Sequence, residues 1–259
     1  MIIDCHCHAG KGDGLTGPWD TDASLDKYLQ WADEYGINKT VLFAAFNSNY
    51  EKANYQVAKI VNSNRKRFYG FAFIHATRDF GRVHHMVSTA VNDYHFCGLK
   101  VHRYDARISR EICEAAKKFN IPVLYDPMGE ISTVELIARE YPDVNFIIPH
   151  LSSFADEWKA QVGFISMLER YKNVYADTSG VRRFDVLQEA IRRAGPDKIL
   201  FGSDGPWIHP GIELEKIKAL HLKREDEEKI LSKNFLKLIN LDMKFNNLFS
   251  VFYLNSSLV

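Results

Sequence analysis

The stretch Ile2-Ile3-Asp4-Cys5-His6-Cys7-His8 places two imidazoles two residues apart at the end of an apolar, β-branched run. Such residues favour strands, and side chains two apart on a strand share a face. His6 and His8 are therefore expected to converge on one point, with Asp4 one step deeper on the same face and Cys5 and Cys7 on the other. Two imidazoles so aimed can clamp a metal ion. Two ordinary strand histidines would read the same way, so the rest of the chain has to decide.

Outward from this strand, a glycine-rich loop over 9–20 leads to a helix over 21–35, where Leu25, Tyr28, Leu29 and Ala32 recur at helical spacing and Gly36 is the stop. Short apolar runs then predict buried strands over 40–46, 68–75, 97–102, 122–126, 145–150, 173–177 and 198–204. Between and after them come helical patterns over 81–94, 109–119, 131–141, 154–171, 184–194, 211–221 and 225–239. Eight strands alternating with helices predict an α/β protein, a single-domain (β/α)8 TIM barrel over 1–241. A doubly wound sheet would use fewer strands, and no G-x-G-x-x-G follows the first. Residues 242–259 are apolar without a period; this tail is expected to pack on the barrel or a partner subunit.

Composition narrows the class of function. Of 259 residues, 46% are hydrophobic and 25% charged, the balance of an ordinary soluble domain. Lys+Arg and Asp+Glu both number 33, so no overall field draws the chain to nucleic acid or to an anionic membrane. The opening residues lack the basic stretch and apolar segment of a secretory signal, and a cytoplasmic location is expected. The four cysteines, Cys5, Cys7, Cys97 and Cys113, have neither disulfide-framework nor zinc-finger spacing and read as reduced packing thiols.

In a barrel of this kind the chemistry sits at the carboxyl ends of the strands. There the sequence places His6 and His8, His75, Lys100 with His102 and Arg103, Asp126, His150, Asp177 and Asp204. Imidazoles and carboxylates in one ring are what a divalent transition metal selects. Strand phase also aligns Phe146, Ile148 and His150, and likewise Leu200, Gly202 and Asp204, so that three strands can aim at one site. The same alternation of Pro122, Leu124 and Asp126 puts a carboxylate at the rim.

The segments Ile3-Asp-Cys-His-Cys-His8, Phe146-Ile-Ile-Pro-His150-Leu, Asn173-Val-Tyr-Ala-Asp177-Thr-Ser, Ile199-Leu-Phe-Gly-Ser-Asp204-Gly-Pro206 and Ile230-Leu-Ser-Lys-Asn234-Phe-Leu resemble the amidohydrolase superfamily. The branch they are most similar to is the amidohydrolase-2 group of metal-dependent hydrolases and nonoxidative decarboxylases. The resemblance implies that His6, His8 and Asp204 bind one divalent metal, with zinc expected and manganese or iron as alternatives. It also implies that Asp204 handles the proton of the attacking water and that His150 is an acid/base or a further ligand. Where the family carries a histidine at the end of strand five, this chain has Asp126, within Pro122-Val-Leu-Tyr-Asp-Pro-Met-Gly129. An aspartate there can still ligate the metal.

On the substrate side, Lys100, His102 and Arg103 are the candidate polar contacts, with Trp19 and Trp207 as walls from the first and last loops. For Asp177 the expected role is to fix a turn before Ser179-Gly180. The function these readings give is hydrolysis of a C–N or C–O bond, as in an amide or lactone, by a metal-activated water. The alternative is a metal-dependent nonoxidative decarboxylase in which an arginine, from Arg103, Arg107, Arg182 and Arg183, holds the substrate carboxylate. A non-catalytic ligand-binding barrel is the third. The expected partner is a small-molecule substrate, and the family resemblance implies a homodimer.

Overall fold

In the computed structural model, which describes residues 1–14, 22–154 and 157–239, the opening strand β1 (Ile3–Lys11) runs past its expected end at His8. Its last residues pair antiparallel with β2 (Asp22–Ala23), Gly10 opposite Ala23. The first helix, α1 (Leu25–Glu34), consequently starts later than its apolar spacing suggested. Then β3 (Lys39–Ala44) leads into α2 (Tyr50–Ser63), a helix the sequence reading did not place. Its signals are nonetheless local: Asn49 caps Lys52 N at 3.0 Å, and Tyr50, Ala53, Asn54, Val57, Ala58 and Val61 are buried at helical spacing. Asn54 then exchanges two 2.9 Å hydrogen bonds with the backbone of Phe73, pinning the helix to the next strand.

The alternation continues as expected through β4 (Phe68–Phe73), α3 (Val83–Asn92), β5 (Gly98–His102), α4 (Arg110–Phe119), β6 (Val123–Asp126) and α5 (Ile131–Glu140). It proceeds with β7 (Phe146–Ile148), α6 (Trp158–Arg170), β8 (Val174–Asp177), α7 (Phe184–Ala194) and β9 (Ile199–Leu200). The helices α8 (Pro210–Ala219), α9 (Arg224–Glu228) and α10 (Asn234–Leu238) follow, the last two joined by one π-helical turn, Lys229–Lys233.

From β1 through β3 to β9 every neighbouring pair is parallel and in chain order. The strand residues are almost all buried, as a parallel sheet covered on both faces requires. Beyond Leu200 the expected eighth strand leaves regular geometry, yet it returns to β1: Cys5 N–H bonds Phe201 O at 3.0 Å, Asp204 N–H bonds His6 O at 2.8 Å, and His8 N–H bonds Gly205 O at 2.6 Å. The fold is the expected TIM barrel. Asn234, from the late motif, donates to the carbonyls of Pro196 and Ile199 and so fixes the start of β9.

One expectation about β1 is corrected. Its register against β3 steps from Asp4–Thr40 to Cys7–Leu42, three residues against two, which is a β-bulge. An extra residue reverses the alternation, so Asp4 does not share the face of His6 and His8. Its carboxylate instead accepts from Tyr28 Oη of α1 at 2.7 Å and from Ser203 N–H at 2.9 Å, and burial raises its pKa to about 6 against those hydrogen bonds. The tail expected over 242–259 lies outside the described residues, as does Trp19.

Candidate metal centre

At the carboxyl end of the barrel, the ligand atoms of His6, His8 and Asp204 all lie within 4.8 Å of one another. Asp204 Oδ1 is 3.2 Å from His6 Nε2 and 3.6 Å from His8 Nε2. The other nitrogen of each ring is occupied: His6 Nδ1–H donates to Asp177 Oδ2 at 2.8 Å, and His8 Nδ1–H to the Ala44 carbonyl at 3.0 Å. His150 repeats the arrangement, with Nδ1–H on the Ser179 carbonyl at 2.7 Å and Nε2 at 3.6 Å from Asp126 Oδ2. With Nδ1–H assigned from the hydrogen-bond partners, the Nε2 atoms of all three rings face carboxylate oxygens. Such a pair is attractive only with a proton or a metal ion between its atoms, and the donor set of two imidazoles and a carboxylate fits a divalent ion. Two ligand atoms sharing one tetrahedral zinc stand roughly 3.3 Å apart, close to the 3.2 and 3.6 Å from Asp204 Oδ1 to the two histidines.

Charge supports the same arrangement. Burial and the Lys100 cation both disfavour a protonated His6, but Asp177 and Asp204 outweigh them and lift its pKa to about 9. Those two carboxylates thus favour positive charge on His6. His8, by contrast, is driven well below the ordinary histidine value by burial, and so stays a neutral donor. Burial opposes ionisation of Asp204, and the surrounding imidazoles, His6 foremost, overcome it and hold the carboxyl well below its usual range.

Two of the converging residues arrive by a route that strand phase does not describe. His150 lies beyond β7, in a 3-10 turn, Pro149–Ser152, with φ of 59°, 51° and 83° at His150, Leu151 and Ser152. Left-handed backbone at such residues is costly and persists only where neighbours impose it. Here Gln161 of α6 donates to the His150 and Ser153 carbonyls at 3.0 and 2.9 Å. Asp204 is likewise left-handed, at φ 60°, in the irregular segment after β9.

Asp126 stands beside the three-residue cluster rather than within it. Its Oδ2 is 3.2 Å from His102 Nε2, and its Oδ1 accepts from Met128 N–H at 2.8 Å. His102 Nδ1 accepts from Tyr104 N–H, so its Nε2 carries a proton and donates to Asp126. It is a donor to the site, not a lone pair in it. Burial works against ionising Asp126, but His102 first and then His150 and Lys100 keep it ionised well below the usual carboxylate range.

These residues line a cavity of about 630 Å³ whose walls are Phe46, Phe154, Met128, Trp207 and Ile208. Trp207 packs on His8, ring centres 4.3 Å apart, as a wall residue should. Lys100 is fully buried at the cavity floor, its Nζ 5.0 Å from the Phe43 ring centre with no hydrogen-bond partner, and burial lowers its pKa. Arg103 is not brought to this cavity: its Nε is held by Glu130 at 2.9 Å, as Arg107 is by the same carboxylate. Sequence reasoning gave Asp177 only a turn; it fixes that turn through Ser179 N–H at 3.0 Å and also orients His6. Ser179, Gln161 and Phe154 were not singled out, and only the Asp177-Thr-Ser-Gly run after a strand hinted at the first.

A parallel barrel whose strand ends gather histidines and carboxylates around one cavity has the layout of a barrel enzyme with a candidate metal centre. Comparison with known proteins makes the class specific. The chain belongs to the amidohydrolase family, whose model matches residues 3–241. Similar solved structures include 2,6-dihydroxybenzoate decarboxylase from Rhizobium, 18% identical with a TM-score of 0.70, covering 93% of this chain and 99% of that one. A dihydroxybenzoic acid decarboxylase from Polaromonas with bound manganese and 2-nitroresorcinol is 18% identical, TM-score 0.71, covering 93% and 97%. A protein described as a probable 2-pyrone-4,6-dicarboxylic acid hydrolase from Acinetobacter baumannii is 17% identical, TM-score 0.73, covering 93% and 99%. Among curated proteins no sequence match is found. No helix among the described residues is long and apolar enough to cross a membrane.

Proposed function

We propose that this chain is a metal-dependent hydrolase acting on an amide- or lactone-type bond of a small molecule, with His6, His8 and Asp204 holding one divalent ion. The observation that carries the proposal is the matched placement of His6, His8 and His150, each with Nδ1 against an acceptor and Nε2 turned inward. When bound, the ion supplies a water of lowered pKa and a Lewis acid for the scissile carbonyl. Asp204, ionised and in contact with His6 and His8, accepts the proton of the attacking water and returns it to the leaving group. His150 accepts or relays a proton at Nε2, steadied by Asp126, which His102 in turn holds. Lys100 offers its ammonium to charge developing on the substrate oxygen. Phe46, Phe154 and Trp207 exclude water from the bound substrate.

Nonoxidative decarboxylation is the second reading, favoured by the decarboxylases among the similar folds. In the form read from the sequence, it calls for an arginine facing the substrate carboxylate. Among the described residues lining the cavity Lys100 is the only lysine or arginine, and Arg103 and Arg107 are engaged by Glu130. Hydrolysis, which needs no such clamp, is therefore preferred. The metal-loaded enzyme assayed on a panel of lactones, amides and hydroxybenzoates separates the readings: ring or amide opening with uptake of water supports hydrolysis, and release of carbon dioxide overturns it.

A further inference from the structure

Helix α8 turns Glu213 and Lys216 toward the segment that follows β8. Glu213 is buried, its Oε2 accepting Gly180 N–H at 3.0 Å and lying 2.6 Å from Lys216 Nζ. Lys216 Nζ also donates to the Thr178 and Val181 carbonyls, at 3.1 and 3.0 Å. One ion pair thus holds three backbone groups of the run 178–181. A buried ion pair is a weak source of stability, because desolvation offsets its attraction, so what it contributes here is placement.

What it places is the acceptor set of the metal centre. The segment carries Ser179, whose carbonyl receives His150 Nδ1–H, and directly follows Asp177, the last residue of β8, whose carboxylate receives His6 Nδ1–H. There is little slack: Gly180 sits at φ +61°, and a Cβ built there would come within 3.2 Å of His150 Nδ1. We propose that the Glu213–Lys216 pair is a positioning clamp that fixes the backbone of 178–181 and thereby holds His6 and His150 in the Nδ1–H form, Nε2 toward the metal. The proposal rests on the reading of His6, His8 and Asp204 as metal ligands.

Two variants and two readouts test it. Glu213→Ala removes the acceptor of Gly180 N–H, whereas Glu213→Gln keeps an oxygen in its place. The expected result is that Glu213→Ala binds Zn²⁺ or Mn²⁺ about 10–100-fold more weakly than wild type in a chelator competition, with Glu213→Gln restoring most of the loss. In metal-free protein, imaging of the histidine nitrogens by ¹⁵N–¹H NMR is expected to show the Nδ1–H form of His150 in wild type and Glu213→Gln and its loss in Glu213→Ala. Wild-type affinity in a folded Glu213→Ala protein overturns the proposal. So does equal loss in both variants together with lowered melting temperature, which marks a merely structural role. If wild type takes up no metal, the ligand reading itself fails, and the clamp is then decided by the NMR readout alone: His150 keeping its Nδ1–H form in Glu213→Ala overturns it.

Discussion

The Nδ1–H of His6 donates to Asp177 Oδ2 at 2.8 Å across 171 residues of sequence, and this bond fixes which nitrogen of His6 faces Asp204. A hydrogen bond on one ring nitrogen determines what the other can do. Replacing Asp177 with Asn removes the charge that sustains this polarity while keeping the size of the side chain. We expect Asp177→Asn to fold and to bind Zn²⁺ or Mn²⁺ about 10–100-fold more weakly, read by chelator competition. An unchanged affinity would show that Asp177 serves the turn alone.

The raised pKa of His6 gives metal binding a direction with pH. Burial and Lys100 lower it, but Asp177 and Asp204 lift it to about 9, so over the neutral range a metal entering the site must displace a proton. Affinity should rise with pH, about tenfold per unit for one displaced proton, and level off above about 9. In the metal-free protein the sign is opposite. A folded pKa above the ordinary 6.5 contributes stability that is fully present below 6.5 and is lost as pH rises through about 9. Metal titrations and chemical denaturation of stripped protein across this window check both slopes.

Asp204→Asn keeps the volume of the side chain but removes both the charge toward His6 and His8 and the proton acceptor. On any lactone or amide that wild type opens, kcat should fall at least about 100-fold with the circular dichroism spectrum unchanged. Retained turnover would assign the proton transfer to another group.

Gly180 tests the packing behind His150. At φ +61° a side chain is strained, and a Cβ there would approach Phe154 Cε2 to 2.7 Å and His150 Nδ1 to 3.2 Å. Gly180→Ala should cost about 1–3 kcal/mol in denaturant unfolding and weaken metal binding as His150 is displaced. Loss of stability without any change in the site would mean that Phe154 alone absorbs the methyl group.

Much of the barrel was legible because parallel strands buried on both faces read as short apolar runs, and because the ring of polar residues falls where those runs end. Helix α2 lacks a long apolar run, although its cap and its spacing are local. The His6/His8 pair converges as the two-residue period says, but Asp4 does not, since a bulge between Asp4 and Cys7 inserts one residue that no sequence period records. His150 and Asp204 reach the cavity from left-handed turns rather than by strand phase, so alternation pointed to residues that line the cavity for a geometric reason that does not hold. Asp177 showed its turn and hid its bond to His6, because that partner lies at the far end of the chain. Arg103 looked suited to a substrate carboxylate, and its engagement by Glu130 is a contact set by how two loops meet.

The metal content of protein purified without chelator, measured by elemental analysis against the His6→Ala/His8→Ala variant, decides whether His6 and His8 hold a metal ion. About one divalent transition-metal ion per chain is expected in wild type and close to none in the variant. Wild type holding no more metal than the variant would contradict that expectation.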